Sequence, residues 1–420
     1  MSSGALLTWA IAALTAFGVI TRPFRWPEAI WAVAGAALLV GLGLLSLPEA
    51  ASGVAKGLDV YLFLIGMMLL SELAREEGLF DWLAAIATRQ AKGSPLRLFA
   101  LIYGVGVVVT VFLSNDATAV VLTPAVYAAA KAAKVKEPLP YLLICAFIAN
   151  AASFVLPISN PANLVIFGGG HMPPLGRWLA TFALPSVVAI VATFGLLYWT
   201  QRKVLAGEAV ASDVAVPALT FTARLAGIGL IATALILLVA SAVGADLGLP
   251  TFLAGVVTTA LIVIIGRQSP VAMLRGISWS VLPLVGGLFV VVQGLEKTGL
   301  TGLIAAQLQA GAAAAPGQTA AIAGAAVALL TNLVNNLPAG LVAGGAVQAA
   351  QASDTVSGAI LVGVDLGPNL SVTGSLATIL WLNALRREGL QVGAWAFLKL
   401  GVVVMIPALV LSLLALIALH

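Results

Sequence analysis

The chain has little of what a soluble enzyme needs. Of its 420 residues only 9% are charged, where an ordinary soluble domain carries about 25%. One cysteine, Cys145, excludes a disulfide framework and a CxxC metal pair, and its apolar neighbours mark it as a small buried hydrophobe. Two histidines, His171 and His420, exclude a His-rich metal centre, and His171, following Gly168-Gly169-Gly170, reads as a plain residue of an external turn. There is no Ser/His, His/Glu or paired-Asp motif with catalytic spacing and no GxxxxGK[ST] loop, so the chain is read as neither an enzyme nor an ATPase in its own right. No cofactor and no metal are expected. The net charge of +4 is scattered between apolar runs and forms no basic patch interleaved with aromatics, which excludes nucleic acid as a partner.

What is present is hydrophobic surface, 61% of residues, with a mean hydropathy of +1.11. At about 20 apolar residues per crossing this is enough for roughly ten spans embedded in membrane lipid. Apolar runs fall near 5–21, 28–45, 58–74, 98–130, 141–168, 178–200, 222–243, 250–266, 279–296, 319–351, 357–385 and 395–419. The first lacks a basic n-region and is followed by further runs, so it is read as a retained span and not a signal peptide.

The run 98–130 is broken by Ser114-Asn115-Asp116 and flanked by Arg89, Lys92 and Arg97 on one side and Lys131, Lys134 and Lys136 on the other. Basic flanks at both ends predict a re-entrant hairpin that enters and leaves on the cytoplasmic side. With 98–130 and 319–351 as hairpins, the other ten runs crossing and both termini outside, 17 of the 20 Lys and Arg fall inside, leaving Lys56, Arg177 and Lys297 outside. Making 98–130 a crossing would reverse everything after it and fits the charge bias worse.

The second half repeats the order of the first. A span (58–74), Gly78-Leu79 and a tip reading VFLSNDATA are followed later by a span (279–296), Gly299-Leu300 and ALLTNLVNNLPAG. Asn115 aligns with Asn335 and Asp116 with Asn336 at an offset of 220, and the Gly-Leu pairs at 221. Five crossings per half make the halves oppositely oriented, the inverted-repeat plan of secondary transporters. The predicted fold is therefore an all-α polytopic membrane protein with re-entrant helical hairpins and discontinuous helices. Its N-terminal repeat is 1–200 (hairpin about 98–130, broken helix about 141–168). A cytoplasmic linker, 201–221, leads to a C-terminal repeat, 222–420 (hairpin about 319–351, broken helix about 357–385).

Four polar breaks lie inside apolar runs: the tips Ser114-Asn115-Asp116-Ala117-Thr118 and Asn332-Leu333-Val334-Asn335-Asn336-Leu337-Pro338, and the interruptions Ser159-Asn160-Pro161-Ala162-Asn163 and from Gly367-Pro368-Asn369 to Thr373-Gly374-Ser375. Backbone at mid-bilayer must be hydrogen-bonded internally unless it lines a wet cavity. Taken singly, each Asn, Ser or Thr is equally well read as hydrogen-bonded glue between helices; four breaks in matching positions point to a shared site for a small polar solute or ion. A carboxylate at the membrane centre costs about 2.5–3.5 kcal/mol even on a lenient scale, so Asp116 is assigned a functional role, with helix N-capping as its structural alternative. Asp365, just before the second interruption, is the other candidate proton carrier. Glu72, Asp59 and Asp246 lie nearer run ends and are read as solvated residues at headgroup level.

These motifs, SND followed by AT, VNNLPA, ISNPANLVIFG and GPNLSVTGSLATILW, resemble those of the ArsB-type arsenite and antimonite efflux permeases of the ion transporter superfamily, over essentially the whole chain. The resemblance implies a multi-pass protein of the bacterial plasma (inner) membrane that exports arsenite and antimonite in exchange for protons. It implies substrate contacts at Asn115, Asp116, Thr118, Asn335 and Asn336, with Asn160, Asn163, Asn369, Thr373 and Ser375 completing the cavity. It also admits a soluble arsenical-pump ATPase as partner. Sodium-coupled carboxylate carriers of the superfamily have an SNT-like pattern at both tips, whereas here the tips read SND and VNN, which favours protons. The alternative reading is a sodium- or proton-coupled carrier of small anions such as carboxylates on the same fold, and a passive channel is a further rival.

Overall fold

The computed structural model describes residues 2–168 and 172–419, and every regular element among them is helical. Gly169, Gly170, His171 and His420 lie outside the described residues. The first half opens with α1 (Ser3–Thr21), α2 (Glu28–Gly41), α3 (Leu47–Lys56) and α4 (Leu58–Glu76). It continues with α5 (Leu79–Gln90), α6 (Pro95–Phe112), α7 (Asn115–Ala117), a π-helical turn (Thr118–Leu122) and α8 (Thr123–Ala132). Two short helices, α9 (Leu139–Ala151) and α10 (Pro161–Phe167), and the long α11 (Leu175–Ala206) complete it. The second half comprises α12 (Phe221–Ala242), α13 (Gly248–Gly266), α14 (Pro270–Gly276), α15 (Val281–Lys297) and α16 (Leu300–Ala314). Then follow α17 (Pro316–Val334), α18 (Asn336–Ala350), α19 (Asp354–Leu366), α20 (Leu376–Arg387) and α21 (Ala394–Ala418).

Seven helices, α1, α6, α11, α12, α13, α17 and α21, are long and apolar enough to cross a bilayer, and the bent pairs α3–α4 and α14–α15 bring the number to nine. With large apolar side chains such as Leu14, Phe17, Ile228, Ile231, Ile264 and Leu414 turned outward, this is a multi-pass membrane protein. The order of elements recurs. The bends at α3–α4 and α14–α15 are 48° and 44°. Both α5 and α16 begin after a glycine at positive φ, Gly78 at 70° and Gly299 at 87°, a backbone that a side chain would strain. Packing recurs as well: α4 lies against α13 and α15 against α2, while α6 and α8 pack on α5 as α17 and α18 pack on α16.

The centre belongs to α9 and α19, in which every side chain from Pro140 to Ala151 and from Val356 to Leu366 is buried. Buried tryptophans bond the backbone of the first of these segments, Trp178 just past the end of α9 and Trp381 near its start. Trp178 Nε1 donates to the carbonyls of Phe154 and Val155 at 3.2 Å, and Trp381 Nε1 to that of Leu142 at 2.8 Å. Cys145 is free and buried in α9.

Contacts between helix ends sort the molecule into two ends. Glu77, at the end of α4, accepts from Gln268 after α13 at 2.6 Å and from Thr220 before α12. Glu208, after α11, accepts from the backbone N–H groups of Lys136 and Glu137 at 3.0 and 2.8 Å. This is the end rich in Lys and Arg. At the other, Lys56 pairs with Glu296 (2.9 Å), Lys297 with Glu49 (2.8 Å) and Arg177 with Asp354 (2.7 Å), so each of the three basic residues assigned to the sparse side carries a partner. The segment read as a linker from 201 is helical to Ala206, since no breaker precedes Gly207; residues 207–220 then run along the hairpin, with Ala211 N donating to Ala133 O at 2.8 Å.

Candidate functional site

Four helix starts face one another where the sequence places its polar breaks, and each is capped by its own residue. Ser114 Oγ accepts from Ala117 N (3.3 Å) at the first tip, and Asn335 Oδ1 from Leu337 N (3.4 Å) at the second. At the two interruptions Asn160 Oδ1 accepts from Ala162 N (3.0 Å) and Ser375 Oγ from Thr378 N (3.1 Å). Caps of this kind satisfy some of the orphan N–H groups of a helix start and leave others directed at whatever lies ahead. The first tip abuts α20, and the second abuts α10. Asn336 N donates to Gly374 O at 2.9 Å, tying the second tip to its own half's interruption.

Asn335 holds φ 74° and ψ 156°, a conformation that disfavours every residue but glycine. It is held there by its N–H to Thr331 O (2.8 Å), its Nδ2 to Thr373 O (3.3 Å) and the cap to Leu337. Asn335→Ala keeps the strain and loses both side-chain bonds; it is expected to cost about 2 kcal/mol and to lower the melting temperature of the purified protein, read by thermal shift in detergent.

Between the tips lies a narrow space of about 10 Å³ lined by Asn115, Asp116, Asn160, Asn336 and, among apolar neighbours, Leu64 of α4 and Val281 of α15. It shares Leu64, Asp116, Pro161, Val281 and Leu376 as a common wall with a wider cavity of about 90 Å³ lined by α4, residues 276–281, the first tip and α20. The wider cavity reaches Glu72, a turn from the basic end of α4. No Lys, Arg or His is among the described residues lining either space. A third cavity, of about 250 Å³, lies toward the opposite end between α15, the start of α4, α10 and α18, with Lys56, Asp59, Gln293, Glu296 and Gln348 in its wall.

Of the residues expected at the site, Asn115, Asp116, Asn160 and Asn336 line the space between the tips. The others stand behind it. Thr118 is buried and shares a hydrogen bond with Thr110 Oγ1 at 2.8 Å, closing the hairpin on itself where the π-helical turn begins. Asn163 Nδ2 donates to the carbonyls of Ser153, Leu156 and Pro157 at 2.9, 3.2 and 3.3 Å, satisfying the backbone of the first interruption. Asn369 Nδ2 donates to Phe147 O (2.9 Å), Ser375 shares a bond with Thr378 (2.9 Å), and Thr373 Oγ1 donates to Asn332 O (3.3 Å). Asp365 is fully buried, and its Oδ1 accepts from Asn160 Nδ2 at 2.8 Å.

Three participants stand outside the expected contact set, although Asn332 belongs to the polar break of the second tip. Asn150, buried in α9, donates through Nδ2 to Asn369 Oδ1 at 2.9 Å, joining the two interrupted helices across the halves as Asp365 joins them through Asn160. Its polarity inside the run 141–168 was the available signal. Asn332, before the second tip, donates to Gly367 O at 3.1 Å and accepts from Ser371 Oγ at 2.7 Å. Glu72 is a correction. Read as a solvated headgroup-level residue, it is buried in the cavity wall and hydrogen-bonded to Arg75 at 2.7 and 2.9 Å.

One electrostatic feature stands out. The buried side-chain oxygens Asn115 Oδ1, Asn336 Oδ1, Asn150 Oδ1, Asn163 Oδ1 and Asp365 Oδ2 accept no hydrogen bond. Tips and interruptions therefore carry a surplus of acceptors, and burying an acceptor without a donor costs about 1–3 kcal/mol. Asn115 and Asn336 line the space between the tips, while their unpaired oxygens themselves are sealed from it.

The chain is similar to known membrane transporters. The citrate transporter family CitMHS matches residues 13–364. The arsenical pump membrane protein of Yersinia enterocolitica is 30% identical over 370 residues, 84% of each chain, and that of Escherichia coli K12 is 29% identical over 375 residues, again 84% of each. Among solved structures, the Alcanivorax borkumensis YdaH transporter, a protein of unusual topology, superposes with a TM-score of 0.58 at 16% identity, covering 100% of this chain and 97% of that one.

Proposed function

The chain belongs to the CitMHS citrate transporter family, a family of membrane transporters and not of enzymes, and on that basis we propose that it exports arsenite, and with it antimonite, across the plasma membrane in exchange for protons. The observation that carries this reading is a cavity lined by the amides of Asn115, Asn160 and Asn336 and the carboxyl of Asp116, with no cation among its described lining residues. Arsenite at neutral pH is the uncharged trihydroxide, which offers three O–H donors and needs no counter-charge. Asn115, Asn160, Asn336 and Asp116 make the contacts; Thr118, Asn163, Asn335, Asn369, Thr373 and Ser375 hold the walls that carry them.

Asp116 takes a proton when it faces outside and releases it when it faces the cytoplasm, as the trihydroxide binds. Asp365, locked to Asn160, couples the state of the interruption to that of the tip. The basic end is cytoplasmic under the charge bias, with both termini outside. The recurring order of elements is read as two inverted repeats, with alternating access produced by moving the hairpins and interrupted helices against α4 and α15. One charge moving inward through 100 mV is worth about 2.3 kcal/mol, roughly fifty-fold accumulation of a neutral solute.

A second reading has an observation of its own. Four helix starts converge on the cavity, and their partial positive charge favours a small anion such as a carboxylate. The deciding experiment is uptake into inside-out vesicles or proteoliposomes under an imposed proton gradient and then under a sodium gradient alone. Arsenite is expected to accumulate above equilibrium with the proton gradient, to collapse with a protonophore and to ignore sodium. Carboxylate uptake without arsenite uptake would establish the second reading, and arsenite flux that never exceeds equilibrium would make the protein a channel.

A further inference from the structure

The two cavities that flank the tips are built from corresponding elements. One is lined by α4, the start of α15 with Gly276, Ile277 and Ser278 before it, the first tip and α20; the other by α15, the start of α4, α18 and α10. Residues at matching positions differ in one systematic way. Asp116 at the first tip corresponds to Asn336 at the second, and Glu72 in the wall of the first cavity to Gln293 in the wall of the other, at offsets of 220 and 221. Both acids line the cavity toward the basic end, whereas of the amides Gln293 lines the opposite cavity and Asn336 the space between the tips. Each pair is nearly equal in size, so packing does not account for the difference; what separates the members is the ability to carry a proton.

Glu72 is placed to carry one. Leu64 lines the space between the tips, and eight residues further along the same face of α4, at 1.5 Å per residue, Glu72 lies about 12 Å closer to the basic end. The wall between is apolar, formed by Met67, Met68, Val120, Val121 and Ile277. Among the described lining residues, the hydroxyl-bearing Ser71 and Ser278 interrupt it before the Glu72 carboxyl, with Ser114 beside Asp116 at the tip. The carboxyl is 6% exposed and rests on Gly276, whose missing side chain leaves the room it occupies. Its charged surroundings are few. Arg75 bonds it, and Glu76 flanks it on α4. Among the helices packed on α4, Arg275 of α14, Arg224 of α12 and Asp81 and Arg89 of α5 are exposed near this end, α10 and α13 carry no titratable side chain, and those of α3 and α15 lie at the far end.

We propose that Glu72 is the relay through which the proton released by Asp116 reaches solution at the basic end, a role that rests on the proton-coupled reading above. The proton leaves the Asp116 carboxyl, crosses the cavity by way of water and the Ser71 and Ser278 hydroxyls, and is taken by the Glu72 carboxylate. Neutral Glu72 holds Arg75 less tightly and passes the proton to bulk water, which restores the ion pair. The other half has the amides Gln293 and Asn336 at the matching positions, and the acids in its cavity wall, Asp59 and Glu296, lie toward the opposite end, so this relay serves the basic end alone.

The test compares two fluxes in proteoliposomes holding the full-length protein: arsenite counterflow, which needs no net proton movement, and proton-driven net accumulation. In E72Q the ratio of net flux to counterflow is expected to fall by at least about ten-fold. E72D restores the ratio to within about three-fold of wild type, because a shorter acid still carries the proton. An unchanged ratio in E72Q, or an E72D no better than E72Q, overturns the relay. Should E72Q elute as aggregate, Gly276→Ala displaces the carboxyl without removing it, and an unchanged ratio there overturns the proposal equally. Wild-type protein separates the two claims. Its failure to exchange arsenite at all overturns the functional reading and the relay with it, and counterflow without any proton coupling overturns coupling and relay while leaving the substrate in place.

Discussion

Asp116→Asn is expected to abolish proton-driven arsenite accumulation, a loss of at least about 100-fold, while the protein remains folded in the membrane. Asparagine has the size of aspartate and keeps one acceptor toward the cavity but cannot bind and release a proton. The fold accepts an amide here, because the corresponding position of the second tip is already Asn336, buried in the same space. The structural cost is the favourable interaction of a carboxylate with the start of its own helix, about 0.3–1 kcal/mol. The measurement is arsenite uptake into inside-out vesicles alongside a luminal pH dye. The variant should move neither arsenite against its gradient nor protons in response to arsenite, and should still elute as a single species in detergent. Accumulation in the variant at the wild-type rate, sensitive to protonophore, would remove Asp116 from the coupling mechanism.

The places where helices break were legible because their chemistry is local. Asn, Pro, Ser and Gly inside an apolar run have no stable helical solution at that depth without partners, and the caps at Ser114, Asn160, Asn335 and Ser375 are those partners. Which polar residues face the cavity was not legible. Thr118 and Asn115 are three residues apart at one tip, yet the hydroxyl closes on Thr110 while the amide faces the space between the tips. Asn160 and Asn163 likewise divide, one lining and one satisfying three carbonyls. Thr118 and Asn163 turn to partners within their own half, whereas Asn160 is held by Asp365, 205 residues away, so spacing along the chain does not decide which side chain lines the cavity. Glu72 was misread for a related reason. Distance from the end of an apolar run measures depth only in a straight helix normal to the membrane, and α4, bent 48° from α3, is covered at this level by Gly276.

Gly66→Val and Gly287→Val are expected to be the most damaging substitutions away from the site, each lowering stability by about 3 kcal/mol and most of the folded yield. A side chain on Gly66 would land on the Thr251 backbone, where α4 meets α13; one on Gly287 would sit 2.6 Å from the Ala32 carbonyl carbon, where α15 meets α2. In both cases the obstacle is main chain, which no rotamer change can move, so the helices themselves must separate. Helices in lipid gain nothing from hydrophobic burial against each other and depend on close approach through small residues. Separation therefore forfeits the contact with no compensating term. The two glycines are 221 residues apart, the offset of the Gly-Leu pairs, so a duplicated architecture requires both substitutions to cost about the same. Gly195 of α11, with open space around it, is the control in which valine should be tolerated. Thermal scanning of size-exclusion peaks in detergent reads all three. A wild-type profile for either Gly66→Val or Gly287→Val would mean that the α4–α13 and α2–α15 contacts do not hold the frame against which the hairpins are proposed to move.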